Sequence, residues 1–148
     1  MPTPTKIGKI YLQFQGEPKA IQSVRFANFG GHVQKYQPKQ NVDWKNWIRL
    51  QAQSQLPREF QIFTEEAQIR VSFLFGPPKS WSKSKLALMA SGTRIGKVTK
   101  PDLVDNLMKG LCDSLTGIVW RDDSIITRVE SEKRYSPAPG ITLDVEGA

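Results

Sequence analysis

Residues 100–126 read KPDLVDNLMKGLCDSLTGIVWRDDSII, and the fold turns on how this stretch is read. On a helix, at about 100° per residue, Leu103, Leu107, Leu111, Leu115 and Ile118 gather on one face, and Val104 and Met108 widen it. Asp102, Asp105, Lys109 and Asp113 fall on the opposite face, spaced as helical neighbours. Thr116-Gly117 reads as a turn, and IVWRDDSIITRVE (118–130) leads into a strand with Asp122 and Asp123 just ahead of its apolar residues. The stretch therefore predicts a helix packed on a sheet, with carboxylates from two elements meeting at one edge.

Carboxylates brought together repel one another unless a cation or a shared proton compensates. Oxygen donors without Cys or His suit a hard ion such as Mg²⁺, with Mn²⁺ as the alternative. Lys109, one turn after Asp105, could steady the cluster or stabilise charge in a transition state. Plainer roles stay open for the same side chains. Asp102 could cap the helix after Pro101, Lys109 and Asp113 could form a solvated pair, and Asp122-Asp123 could close a turn.

The pieces KPD (100–102), DNLMK (105–109), Asp113 and WRDDSII (120–126) resemble the RusA family of Holliday junction resolvases. These are metal-dependent endonucleases of bacteria and their phages and prophages. In the family a D-x-D-N-L-x-x-K run is followed, most of a helix later, by W-x-D-D and a strand. The resemblance implies a catalytic set of Asp102, Asp105, Lys109 and Asp123, with Asp102, Asp105 and Asp123 as metal ligands. One departure stands out: Leu103 and Val104 separate the first two carboxylates where the family pattern has one residue. A bulge or a shifted helix start would restore the position of Asp102.

Outward from this stretch, 148 residues suffice for one domain, 1–148, with a core that needs no staples. Charged residues make up 24% and apolar ones 39%, which excludes a disordered or membrane-spanning chain by composition. No apolar run approaches the length needed to cross a bilayer, and MPTPTKIGKI lacks the apolar segment of a signal peptide. The lone cysteine, Cys112, reads as a reduced packing residue, and the expected compartment is the cytoplasm.

The net charge of +7 is unevenly spread. Through Lys100 there are 16 Lys or Arg against five Asp or Glu; after it, five against nine. A basic body holding an acidic pocket suits a nuclease, the body binding phosphates and the pocket an ion; excess lysine also serves solubility. Between Lys79 and Lys100 stand six basic residues and no acid, so Lys83, Lys85, Arg94, Lys97 and Lys100 are candidates to guide a DNA backbone towards the acidic cluster. Lys83 to Met89 predicts a short helix and Ser91 to Thr99 a flexible loop.

Lys9 to Phe14 alternates and predicts the first strand, with Glu17-Pro18-Lys19 as a turn. Ser23 to Phe29 and His32 to Tyr36 predict a hairpin around Gly30-Gly31, on which Arg25 and Lys35 are further DNA-contact candidates beside aromatic residues. His32, the one histidine, makes no case for a metal site or a triad. Asn41-Val42-Asp43 offers a cap for a helix from about Trp44 to Leu56, with Trp44, Trp47 and Ile48 as its apolar stripe. Gln61 to Phe63 reads as a short extended piece. Ala67 to Phe75 alternates strictly and is the clearest strand; Ile125 to Glu130 predicts another, and Ile141 to Val145 an edge strand.

Together these readings predict an α+β domain: a mixed, mostly antiparallel sheet with two main helices. The resemblance implies a homodimer, whose two-fold symmetry could place equivalent sites on two strands of a four-way junction. The expected activity is Mg²⁺-dependent hydrolysis of phosphodiesters in branched DNA. Two alternatives remain: a branched-DNA-binding module without catalysis, and a nuclease acting on forks or flaps. No Gly-rich loop of the P-loop type supports an enzyme of small phosphate substrates.

Overall fold

A computed structural model describes residues 7–19, 25–36 and 39–147 of the chain. Four strands form the main sheet: β1 (Lys9–Gln15), β4 (Ala67–Phe75), β5 (Ile126–Tyr135) and β6 (Gly140–Gly147). Between β1 and β4 come a separate hairpin, β2 (Arg25–Phe29) with β3 (His32–Tyr36), and helix α1 (Lys39–Gln55). Helix α2 (Lys83–Ala90) and the motif helix, a π-helical turn at Leu103–Met108 running into α3 (Lys109–Leu115), lie between β4 and β5. The described residues thus carry three helices beyond single turns, one more than the two main helices expected. No helix among them is long and apolar enough to cross a membrane.

The sheet order is β1-β6-β4-β5; β6 is antiparallel to both neighbours and β5 is parallel to β4. A parallel pair needs a long crossover, and the segment carrying α2 and the motif helix supplies it. The expectation of an edge strand at the C-terminus is corrected: β6 lies inside the sheet. Gly140 makes the close approach to β1 feasible, since a Cβ there would collide with the Phe14 carbonyl.

Alternation in the sequence becomes one apolar face. Ile10, Leu12 and Phe14 of β1, Ile69, Val71 and Phe73 of β4, and Ile141, Leu143 and Val145 of β6 are all buried. Helix α1 lays Trp44, Ile48 and Ala52 on this face, and the motif helix adds Leu107, Leu111 and Leu115, each fully buried. Two details of α1 depart from expectation. The helix starts at Lys39, so Asn41 is a buried residue within it and not its cap. Trp47 is 47% exposed, outside the core stripe, with its Nε1 donating to the Gln15 carbonyl at 3.4 Å.

The open edge of β1 is satisfied by α1: Gln13 N–H donates to Gln55 Oε1 at 2.9 Å and Gln15 N–H to Gln51 Oε1 at 2.8 Å. These bonds occupy backbone groups that an edge strand would otherwise expose.

Candidate active site

Trp120 is the hinge between core and site. It is fully buried, and its Nε1 donates to Thr116 Oγ1 at 3.1 Å. Its neighbours pair with Phe63, which donates to the Val119 carbonyl (2.9 Å) and accepts from the Arg121 N–H (2.8 Å). So anchored, the chain emerges at Asp122 and Asp123, both exposed, immediately before a short 3-10 turn and β5. Asp122 is extended and its carboxylate accepts from the Ser124 N–H at 3.4 Å, so the pair does close a turn, as one plain reading expected.

At the other end of the stretch, Asp102 occupies the cap position of the motif helix but its side chain makes no capping bond. Instead both carboxylate oxygens meet Lys100 Nζ, at 2.9 and 3.1 Å. The helix opens with a π turn in which Leu107 N–H donates to the Asp102 carbonyl at 3.0 Å. This wide turn is a bulge, one of the two forms the two-residue spacer suggested, and it leaves the Asp102 side chain paired with Lys100. It also rotates less per residue than an α-helix, which carries Val104 out of the apolar face: it is 73% exposed, contrary to its expected place in the core. Leu107 keeps its burial, and Asp105 and Lys109 stay exposed on the outer face.

Asp123 lies against the α3 end of this helix. The hydrogen bond between the Asp122 and Asp123 carboxyls raises the pKa of Asp123 and lowers that of Asp122, and the charge of Asp113 pushes Asp123 further up. Burial, then the charges of Asp123 and Asp113, raise the Cys112 thiol to about 11, in keeping with a reduced packing residue. A groove of about 520 Å³ runs between the motif helix and β5, with Lys109 and Asp123 as its charged side chains among Val104, Met108, Ile126 and Val129. The fold therefore brings Lys109, Asp113 and Asp123 to one neighbourhood, with Asp105 a turn before Lys109 and Asp102 at the helix start. Lys109 and Asp113 are not among the ion pairs of the described residues.

Among the described residues no three His, Cys, Asp or Glu side chains stand together ready to hold a metal ion. The donor set nonetheless suits Mg²⁺, which keeps much of its water and binds through one or two carboxylates together with substrate phosphates. All three candidate ligands are carboxylates, and Asp105 and Asp123 are exposed.

The basic arm is less free than its sequence implied. Lys83 and Lys85 are exposed on α2, whose first turn is capped by Ser82; Lys85 Nζ sits 4.2 Å from the Trp81 ring. Arg94 is bound to Glu132 at 2.9 Å, and Lys100 to Asp102. Burial alone would raise the Glu132 carboxyl, but hydrogen bonds from Arg94 and Arg134 hold it below the usual range. Lys97 donates to Thr99 Oγ1 at 2.7 Å and faces the rings of Phe75 and Tyr135. The loop expected to be flexible is tied to β5 through Gly96 and Arg134. Arg25 and Lys35 fall on β2 and β3, and their side chains lie outside the described part.

Sequence reasoning missed Glu132 and Lys133. Glu132 engages Arg94, and Lys133 Nζ donates to the Thr99 and Pro101 carbonyls. No local signal could have found Lys133, because its partners are backbone atoms far back in the chain.

Comparison with known proteins agrees with the motif. The chain is 32% identical over 129 residues to an uncharacterised protein, YqaN, of Bacillus subtilis (strain 168), covering 86% of this chain and 89% of that one. Residues 15–146 match the family described as Endodeoxyribonuclease RusA. With nearly its whole length inside that match, and with the motif at the junction of helix and β5, this chain belongs to the RusA endodeoxyribonuclease family.

Proposed function

We propose that this protein is a Mg²⁺-dependent endodeoxyribonuclease that resolves four-way DNA junctions by paired, symmetric phosphodiester cleavage in recombination and repair. The observation that carries this reading is the family match over residues 15–146, which includes the whole motif stretch. The chain is read as one domain that works in the cytoplasm as a homodimer, its two-fold axis matching that of the junction. Asp102, Asp105 and Asp123 would hold the ion, with Mn²⁺ as an acceptable substitute. When bound, the ion polarises the scissile phosphate and lowers the pKa of the attacking water.

The chain's own residues have separable tasks. Lys109, exposed in the groove beside Asp123, stabilises negative charge developing on the phosphate oxygens. Asp122 is the neighbour that raises the Asp123 carboxyl, and Asp113 adds negative potential that favours a cation. Lys83 and Lys85 bind backbone phosphates. Lys100 neutralises Asp102 in an exposed ion pair, and Asp102 would leave that pair to hold an ion, freeing an ammonium for DNA.

A second reading, a branched-DNA-binding module without catalysis, is favoured by the Lys100–Asp102 pair and by the lack of a preassembled acidic group among the described residues. Cleavage of a synthetic four-way junction, a fork, a flap and a linear duplex, with and without Mg²⁺, separates the readings. Paired nicks on the junction, lost in Asp105→Asn while binding persists, are the expected result. Tight junction binding without nicks in either protein selects the binding module; preferred cutting of forks or flaps assigns a different branched substrate.

A further inference from the structure

Lys133 lies on β5, half-buried, and takes part in no ion pair among the described residues. Its Nζ donates to the Thr99 carbonyl at 2.6 Å and to the Pro101 carbonyl at 2.7 Å. These two carbonyls flank Lys100, and Pro101 directly precedes Asp102. The Lys133 backbone serves the same loop: its carbonyl accepts from Lys97 N–H at 3.1 Å, while Tyr135 N–H donates to the Ile95 carbonyl at 3.0 Å. Main-chain bonds thus fasten 95–97 to the edge of β5, and the Lys133 side chain extends the hold to 99–101. An ammonium donating to two carbonyls makes charge-assisted bonds, stronger than neutral ones.

The side chain of Asp102 is held differently. Its partner Lys100 is 82% exposed and the carboxylate 45%, so the pair is a weak, solvent-screened one. A firmly placed backbone beneath a loosely held carboxylate is the arrangement a metal ligand needs: fixed in position, yet ready to trade a lysine for a cation.

We infer that Lys133 is the positioning residue for Asp102, setting the 99–101 turn from which the Asp102 carboxylate reaches a divalent cation. The inference rests on the proposed metal-dependent reading. Supporting groups of this kind change metal affinity without touching the ion.

The test uses the full chain, with Lys133→Met to keep the aliphatic stem, Lys133→Arg to keep donors, Asp102→Asn, and the Lys133→Met/Asp102→Asn double variant. Mn²⁺ affinity is measured without DNA by electron paramagnetic resonance of the free ion, and amide exchange is followed by NMR. Lys133→Met is expected to weaken Mn²⁺ binding about tenfold. It should also speed exchange at Leu107, whose amide reports the Asp102 carbonyl, while Leu111 and the sheet keep their protection. Lys133→Arg should restore both. In the Asp102→Asn background, Lys133→Met should weaken Mn²⁺ no further, because the two act as one unit.

Wild-type Mn²⁺ affinity in Lys133→Met, or a full further loss in the double variant, overturns the inference. So does loss of protection across the sheet, which would mark Lys133 as a residue of general stability. If the wild type binds no Mn²⁺ either alone or with a four-way junction added (the junction alone as blank), the metal-dependent reading fails and the inference with it; Leu107 exchange then still reports whether Lys133 holds the turn, which keeps the two failures apart.

Discussion

Leu107 donates its amide proton to the carbonyl of Asp102, five residues back, at 3.0 Å. That one bond reconciles two demands of the motif helix. The leucines must face the core, and the carboxylates must face outward, although one more residue separates Asp102 from Asp105 than the family pattern has. The wide turn takes up the extra residue and turns Val104 outward.

Deleting Val104 should therefore be tolerated. The turn would close to an α-helical one, and no buried side chain would be lost, so thermal unfolding should shift by less than about 5 °C. A fall of more than about 15 °C would show that the helix had instead slipped its register and exposed Leu107 and Leu111.

The Asp122–Asp123 pair predicts a pH dependence. The folded-state pKa of Asp123 is raised, so the charged form that a cation needs is present only above that raised value and is lost as pH falls through it. In Asp122→Asn the carboxyl that raises Asp123 is gone, and an amide can donate to the Asp123 carboxylate. Its titration, followed by carboxyl ¹³C NMR, should move down, and cleavage should persist to lower pH. An unchanged Asp123 titration would show that Asp122 is not its controlling neighbour.

Cys112 offers a built-in reporter. With its thiol pushed up to about 11, it should react with an aromatic disulfide reagent at pH 8 at least about tenfold more slowly than free cysteine. Asp123→Asn should speed the reaction modestly, because burial is the larger cause and remains. Reaction at the rate of free cysteine would mean that the thiol is neither buried nor beside those carboxylates.

Lys83 and Lys85 are exposed on α2 and make no ion pair among the described residues, so the double substitution to Ala should weaken junction binding at all sequences alike. The slope of log K against log salt should fall by about two, one for each lost phosphate contact. An unchanged slope would remove α2 from the DNA-binding surface. Arg94→Ala is a poorer probe, since it also strips Glu132 of a partner.

Much of the fold was legible because its signals are periodic. Ile10, Leu12 and Phe14, the alternation of Ala67–Phe75, and the Leu107-Leu111-Leu115 stripe each announce one buried face by spacing alone. The exposure of Asp105 and Lys109 was legible too, since residues four apart on a helix share one side. Where spacing misled, the causes were geometric: a π turn at Val104, and at Trp47 a place about 100° round the helix from Ile48, off the centre of the buried Trp44-Ile48-Ala52 stripe.

What the amino-acid order determined by itself, then, was the strand and helix faces, the family, and the identity of the acidic and basic candidates, because these depend on neighbours within a few residues. Tertiary structure alone decided that β6 is interior, that Arg94 meets Glu132, that Asp113 and Asp123 are neighbours, and that Lys133 holds the turn before Asp102. Those relationships join side chains and carbonyls far apart in the chain. Strand order and packing bring them together, and no local period encodes either.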